Sequence, residues 1–189
     1  MNASQRCPAV VLIGGQSRRM GETKALIAVG GVEIGRRVAK ALGVESGRRV
    51  YAGGRSNTVA DALGLPLIPD RLPGEGPLVG VLSALTELDS DVLTVACDLP
   101  LLDEETVNLF DAIEWTPEIH AAVALTDVRQ PSLVRWRRTA RTPIEALVES
   151  GERSLLAALD AIGAVDVPCS TRALHNANTP SDLRDLGDR

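Results

Sequence analysis

Residues 9–24 read Ala-Val-Val-Leu-Ile-Gly-Gly-Gln-Ser-Arg-Arg-Met-Gly-Glu-Thr-Lys. The run Ala9 to Ile13 is short, apolar and rich in valine, and it stops at a glycine pair, which predicts a buried strand. Glycines directly after such a strand let backbone N–H groups approach a ligand closely and point at its phosphates. Arg18, Arg19 and Lys24 add mobile positive charge over the same turn, in a chain whose net charge is -5. A flexible, solvated surface loop is the plain alternative, because neither familiar phosphate template is met. Gly21 is separated from Lys24, so the Walker spacing fails, and G-x-G-x-x-G is absent.

Working outward, apolar runs alternate with helical patterns. Ile34 to Leu42 has helical spacing and ends before Gly43; Val50 to Ala52 predicts a second strand and Leu67-Ile68 a brief third. Gly76-Pro77 opens a helix through Leu88, with proline at the first helical position, where its missing N–H costs nothing. Val92 to Ala96 predicts a strand and Glu104 to Ile113 a helix with Asp103 as N-cap. Farther on, Ala121 to Leu125, Ser132 to Val134 and Ala164 to Val167 read as strands. Ile144 to Glu149, Leu155 to Ile162 and Ser181 to Leu186 read as helices. This order predicts an α/β fold, a three-layer Rossmann-like arrangement with a mostly parallel central sheet and helices on both faces. No repeat or linker interrupts residues 1–189, so one domain is expected. In such sheets ligands lie beyond the carboxyl ends of the strands, which makes the residues after each strand the informative ones.

Composition narrows the function. Hydrophobic residues are 44% and charged ones 24%, an ordinary globular balance. The acidic balance argues against a nucleic-acid binder, and aromatics at 2% leave no stacking platforms. Three cysteines and two histidines are too scattered for a zinc site or a disulfide framework. No apolar stretch approaches the ~20 residues a spanning helix needs, so a cytoplasmic protein without a membrane role is expected.

Three further strand ends or loops carry chemistry. Cys97-Asp98-Leu99-Pro100 follows Val92 to Ala96, and a carboxylate there costs free energy unless paired or bound to a metal. Since Asp103 suits the cap, Asp98 is left either as a ligand for Mg²⁺ beside phosphate oxygens or as a simple turn residue. Cys97 reads as a small buried apolar residue rather than a nucleophile. Pro69-Asp70-Arg71-Leu72-Pro73-Gly74-Glu75-Gly76-Pro77-Leu78-Val79-Gly80 is a shaped loop into a helix N-terminus, whose free N–H groups suit an anion. Gly80 weakens that helix, so close approach is its expected purpose; an ordinary entry turn explains the loop equally well. Asn176-Ala177-Asn178 places two amides on one side of an extended segment, or is punctuation before Pro180. Gln130-Pro131 is as weak alone. With no G-x-S-x-G elbow and no histidine partnered to a nucleophile, the parts suit phosphoryl or nucleotidyl transfer.

Together, LIGGQSRRMGETKALI (12–27), PDRLPGEGPLVGVLSAL (69–85), CDLPLL (97–102), QPSL (130–133) and NANTPSDL (176–183) resemble the MobA-like nucleotidyltransferases, the molybdenum cofactor guanylyltransferase family. The first motif is shared across the nucleotidyltransferase superfamily; the PGEGPLVG loop and the NANTP ending point to this branch. The resemblance implies transfer of GMP from GTP to molybdopterin carrying molybdenum, with release of pyrophosphate and with Mg²⁺ as cofactor. It implies that Leu12, Ile13, Gly14 and Gly15 meet the nucleotide, that Arg19 and Lys24 hold the triphosphate, and that Asp70 and Gly76 belong to the GTP site. Asp98 would ligate Mg²⁺ and act with Arg19 and Lys24 in catalysis. Gln130, Asn176 and Asn178 would lie on the molybdopterin side. Other cofactor-biosynthesis proteins and apo-molybdoenzymes are the implied partners. The alternatives are a relative using CTP or another phosphorylated acceptor, or a non-catalytic nucleotide-binding partner.

Some positions depart from the family pattern. Ile13 replaces a usual alanine, which adds bulk expected beside the nucleotide, and Thr23 stands where an acidic residue often precedes the lysine. Tyr51-Ala52-Gly53-Gly54 occupies the second strand end, where some members carry an asparagine for the base.

Overall fold

Strand β1, Ala9–Leu12, lies at the centre of a computed structural model that describes residues 6–13, 24–72 and 75–177. Its side chains alternate between two faces, as a strand requires. Ala9 and Val11 join one core cluster and Val10 the other. On either side lie β4 (Val50–Gly54) and β6 (Val92–Ala96), both parallel to β1. Beyond β4 comes β5 (Leu67–Pro69), also parallel. Strand β8 (Arg129–Trp136) pairs antiparallel with β6, and β7 (Ala121–Leu125) antiparallel with β8. The sheet closes with β9 (Ala164–Pro168), parallel to β7, giving seven strands in the order β5-β4-β1-β6-β8-β7-β9. The mostly parallel α/β sheet expected from the sequence is therefore what forms, with β8 the one reversed member.

Helices cover both faces. On one side α1 (Ile34–Ala41), α2 (Asn57–Leu63) and α4 (Glu104–Asp111) bury Ile34, Val38, Val59, Leu63, Val107 and Phe110. On the other, α3 (Pro77–Leu88), α5 (Arg141–Glu149) and α6 (Leu155–Ile162) bury Leu78, Leu85, Ile144, Val148 and Leu159. The helix ends follow local chemistry. Asp103 caps α4 by accepting from Thr106 N–H at 2.8 Å, and Ser154 caps α6 by accepting from Ala157 N–H at 3.3 Å. Pro77 stands at the first helical position of α3, as its fixed φ favours.

The sequence reading left three pieces out. α2 was not anticipated, although Ser56 caps it through Val59 N–H and Val59, Ala60 and Leu63 form its buried face. A small antiparallel pair, β2 (Ala28–Val29) with β3 (Val32–Glu33), turns through Gly30 and Gly31, both at positive φ. Strand β8 also runs well past Ser132–Val134 in both directions; a bulge opposite Val123/Ala124 lets it pass Pro131. The expected helix Ser181 to Leu186 lies outside the described residues. No described helix is long and apolar enough to cross a membrane.

Two buried polar pairs lie toward the amino edge of the sheet. Arg48, with its side chain fully covered, donates to Asp111 Oδ1 at 2.5 Å and to the Cys7 carbonyl at 2.9 Å. Trp136 Nε1 donates to Thr94 Oγ1 at 2.8 Å, which satisfies the largest buried ring.

Candidate active site

The carboxyl ends of β1 and β6 are neighbours, so the chain that leaves each of them meets the other. Lys24 Nζ lies 3.2 Å from Asp98 Oδ2, and both side chains are about one-fifth exposed. A pair this sheltered is screened less than a surface salt bridge. The other oxygen, Asp98 Oδ1, is buried and has no hydrogen-bond partner among the described residues. An unpartnered buried carboxylate oxygen is costly, and a hard cation is the partner that suits it. Among the described residues no three acidic, histidine or cysteine side chains gather into a cage. An ion like Mg²⁺ takes one or two carboxylates and fills its other positions with phosphates and water. Next door, burial and the Asp98 charge push the Cys97 thiol up to about 12, so it stays a neutral packing group.

The Asp98 loop is held from behind. Ala177 N–H donates to the Asp98 carbonyl at 2.9 Å, which brings the neighbouring half-buried Asn176 to the same edge. Because β8 runs backwards, its first residues also reach that edge. Gln130 lies there, donating from Nε2 to Thr126 Oγ1 at 3.1 Å. Asp98, Gln130 and Asn176, far apart in sequence, thus share one end of the sheet.

Toward β4 and β5 the surface is built by close packing. Asp70 N–H donates to the Gly54 carbonyl at 3.1 Å, continuing the ladder past the strand ends. A Cβ on Gly80 would stand at ordinary contact distance from both neighbours, 3.4 Å from Leu12 Cδ2 and 3.5 Å from Asp70 Oδ1, which places Gly80 beside both. Burial raises the Asp70 carboxyl above its ordinary range, and the nearby Arg55 charge partly offsets this. Gly76, at φ 95°, precedes Pro77 in a conformation that L side chains resist. A Cβ there would stand 3.3 Å from Cβ of Arg153, whose Nε lies 3.0 Å from Glu75 Oε2.

Packing fixes two residues at this edge, Ile13 and Gly53. The Ile13 side chain is 6% exposed and lies in the core with α1, α2 and α4. Its N–H is committed to the Gly53 carbonyl at 2.9 Å, so any ligand meets this segment through other groups. An asparagine could not replace Gly53 without displacement, because a Cβ there would stand 2.7 Å from Val10 Cγ1. Gly14, Gly15, Arg18, Arg19, Thr23 and Asn178 lie outside the described residues. Arg55 and Arg153 are the charged residues at this edge that the sequence reading passed over. Arg55 directly follows β4, where the rule of looking just past each strand would have found it.

An open, mostly parallel sheet with a cation–carboxylate pair beyond its central carboxyl ends defines a nucleotide-binding α/β protein. Residues 9–162 match the model of the MobA-like NTP transferase domain, and the chain belongs to that family. It is 36% identical to the molybdenum cofactor guanylyltransferase of Rhodobacter capsulatus, over 97% of this chain and 96% of that protein. The molybdenum cofactor guanylyltransferase of Rhizobium meliloti is 33% identical, over 94% of this chain and 88% of its own length. In structure, the chain superposes on molybdopterin-guanine dinucleotide biosynthesis protein A from Archaeoglobus fulgidus with a TM-score of 0.78. That likeness covers 96% of this chain and 97% of the other at 22% identity, and so speaks to the fold.

Proposed function

We propose that the chain, acting as one domain over residues 1–189 in the cytoplasm, transfers GMP from GTP to molybdopterin carrying molybdenum. A phosphate oxygen of the pterin forms a bond to the α-phosphorus of GTP. The bond from that phosphorus to the oxygen bridging to the β-phosphorus breaks, and pyrophosphate leaves with the electron pair. The observation that carries this reading is the Lys24–Asp98 pair, 3.2 Å apart, with the second carboxylate oxygen buried and without a hydrogen-bond partner among the described residues. A pure nucleotide binder has less need of both groups than a transferase that must offset developing charge.

On this reading Lys24 and Arg19 hold the triphosphate, and Leu12, Ile13, Gly14 and Gly15 supply the backbone against which it lies. Asp70 faces the nucleoside, and Gly76 lets the N–H groups that open α3 come close to the ligand. Asp98 would hold Mg²⁺, which neutralises charge on the phosphate oxygens when bound. Gln130, Asn176 and Asn178 orient the acceptor. Proteins that deliver the pterin and apo-molybdoenzymes that receive the dinucleotide are the matching partners. Names of relatives over nearly the whole chain length support the choice of GTP and molybdopterin.

The test is direct. Purified protein with Mg²⁺, molybdenum-bearing molybdopterin and each nucleoside triphosphate in turn should form the guanine dinucleotide and pyrophosphate from GTP. A preference for CTP would move the chain to a cytidylyl role, and turnover only with another phosphorylated acceptor would overturn the pterin assignment.

A further inference from the structure

The proposed catalytic parts leave only one direction for the base. Lys24 and Asp98 mark β1 and β6, while Gln130 and the Asn176–Ala177 segment lie toward β8. A nucleotide whose phosphates sit at β1 and β6, with the acceptor on the β8 side, must extend its base over β4 and β5. The register pairs Gly54 with Pro69, so Arg55 and Asp70 are the first residues beyond the ends of two adjacent parallel strands. Asp70 N–H on the Gly54 carbonyl holds these ends together. Among the described residues, the Asp70 carboxylate accepts no hydrogen bond and Arg55 donates none. Arg55 is exposed, yet close enough for its charge to act on Asp70.

A carboxylate beside a guanidinium, both with open hydrogen-bonding capacity, is a polarity pattern. Guanine offers two donors, N1–H and the N2 amino group, next to an acceptor, O6. Adenine offers the reverse on that edge. Cytosine has one amino donor flanked by the N3 acceptor, which a carboxylate would repel. We propose that Arg55 is a specificity-determining residue, donating to O6 of the guanine while Asp70 accepts from N1–H and the N2 amino group. This rests on the guanylyl-transfer reading and adds to it a residue that reads the base. The two side chains also balance each other's charge, which lets a carboxylate face a ligand already rich in negative charge.

The experiment is calorimetric binding of GTP, ITP and CTP to the full chain and to Arg55→Gln. Arg55 is exposed, so an unchanged melting temperature is expected of the variant. The wild type should prefer GTP over CTP, and over ITP, which lacks the N2 amino group. In Arg55→Gln, GTP affinity should fall roughly tenfold or more while CTP binding is unchanged. An Arg55→Gln variant that keeps the full GTP preference, or loses both nucleotides equally, overturns this assignment and leaves the guanylyl reading standing. A wild type that binds CTP as tightly as GTP overturns both.

Discussion

Lys24 Nζ and Asp98 Oδ2 meet at 3.2 Å although 74 residues of chain separate them. The contact exists because β1 and β6 are parallel neighbours in the sheet, so the segments leaving them emerge side by side. Each charge gives the other a partner in a sheltered place, and each also has a separate task in the proposed reaction.

Lys24→Ala should lower the rate of pyrophosphate release by roughly 10²–10³, the cost of losing one donor that stabilises developing charge. Steady-state assays with GTP and molybdopterin would measure it. A change below a few-fold would remove the lysine from the mechanism.

Asp98→Asn keeps the shape of the side chain and removes the charge that suits a hard cation. The Mg²⁺ concentration for half-maximal activity should rise roughly 10–100-fold, at least the effect seen when a metal's outer partners are lost. Titrating Mg²⁺ at fixed GTP reads this out, and an unaltered requirement would rule Asp98 out as a ligand.

Arg48 and Asp111 should separate stability from activity. Asp111→Ala strands a fully covered guanidinium and should cost about 3–5 kcal/mol of folding free energy, read as a lower urea midpoint. GTP affinity of the folded variant should be unchanged, since the pair lies at the opposite edge from the site.

Cys97 should resist alkylation. Its thiol is raised from 9.0 to about 12 by burial and by Asp98, so at pH 8–9 almost none of it is the reactive thiolate. For linkage, the group favours the folded state fully below pH 9.0, and that contribution is lost as pH climbs toward about 12. Mass mapping after iodoacetamide at pH 8.5 should find Cys97 unmodified in the folded protein and modified after unfolding in denaturant.

Much of the architecture was legible because local chemistry and periodicity agreed. Val92–Ala96 and Ala121–Leu125 are apolar runs of strand length, and Asp103 and Pro77 mark helix starts by their own side chains. The sheet order was not legible. The place of β8 between β6 and β7 depends on which strands bury which faces, a tertiary fact that no local window contains. Pro131 made β8 look shorter than it is, and only the bulge explains its tolerance. At the site, Asp98 and Gly80 could be singled out because each breaks a local rule: one a carboxylate after a buried strand, the other a glycine in a first helical turn. Arg55 breaks none, because an exposed arginine is ordinary. Its interest comes from register with Asp70, which is visible only once β4 and β5 are paired.

The bond from Ala177 N–H to the Asp98 carbonyl closes a ring of chain around the proposed reaction centre. All seven strands of the sheet precede it, ending with Pro168. A chain cut just before Ala177 would therefore retain every strand of the sheet and still lose the strut behind the carboxylate proposed to be catalytic. If Asp98 acts as proposed, spectroscopic evidence of folding and competence for transfer would come apart at a single peptide group.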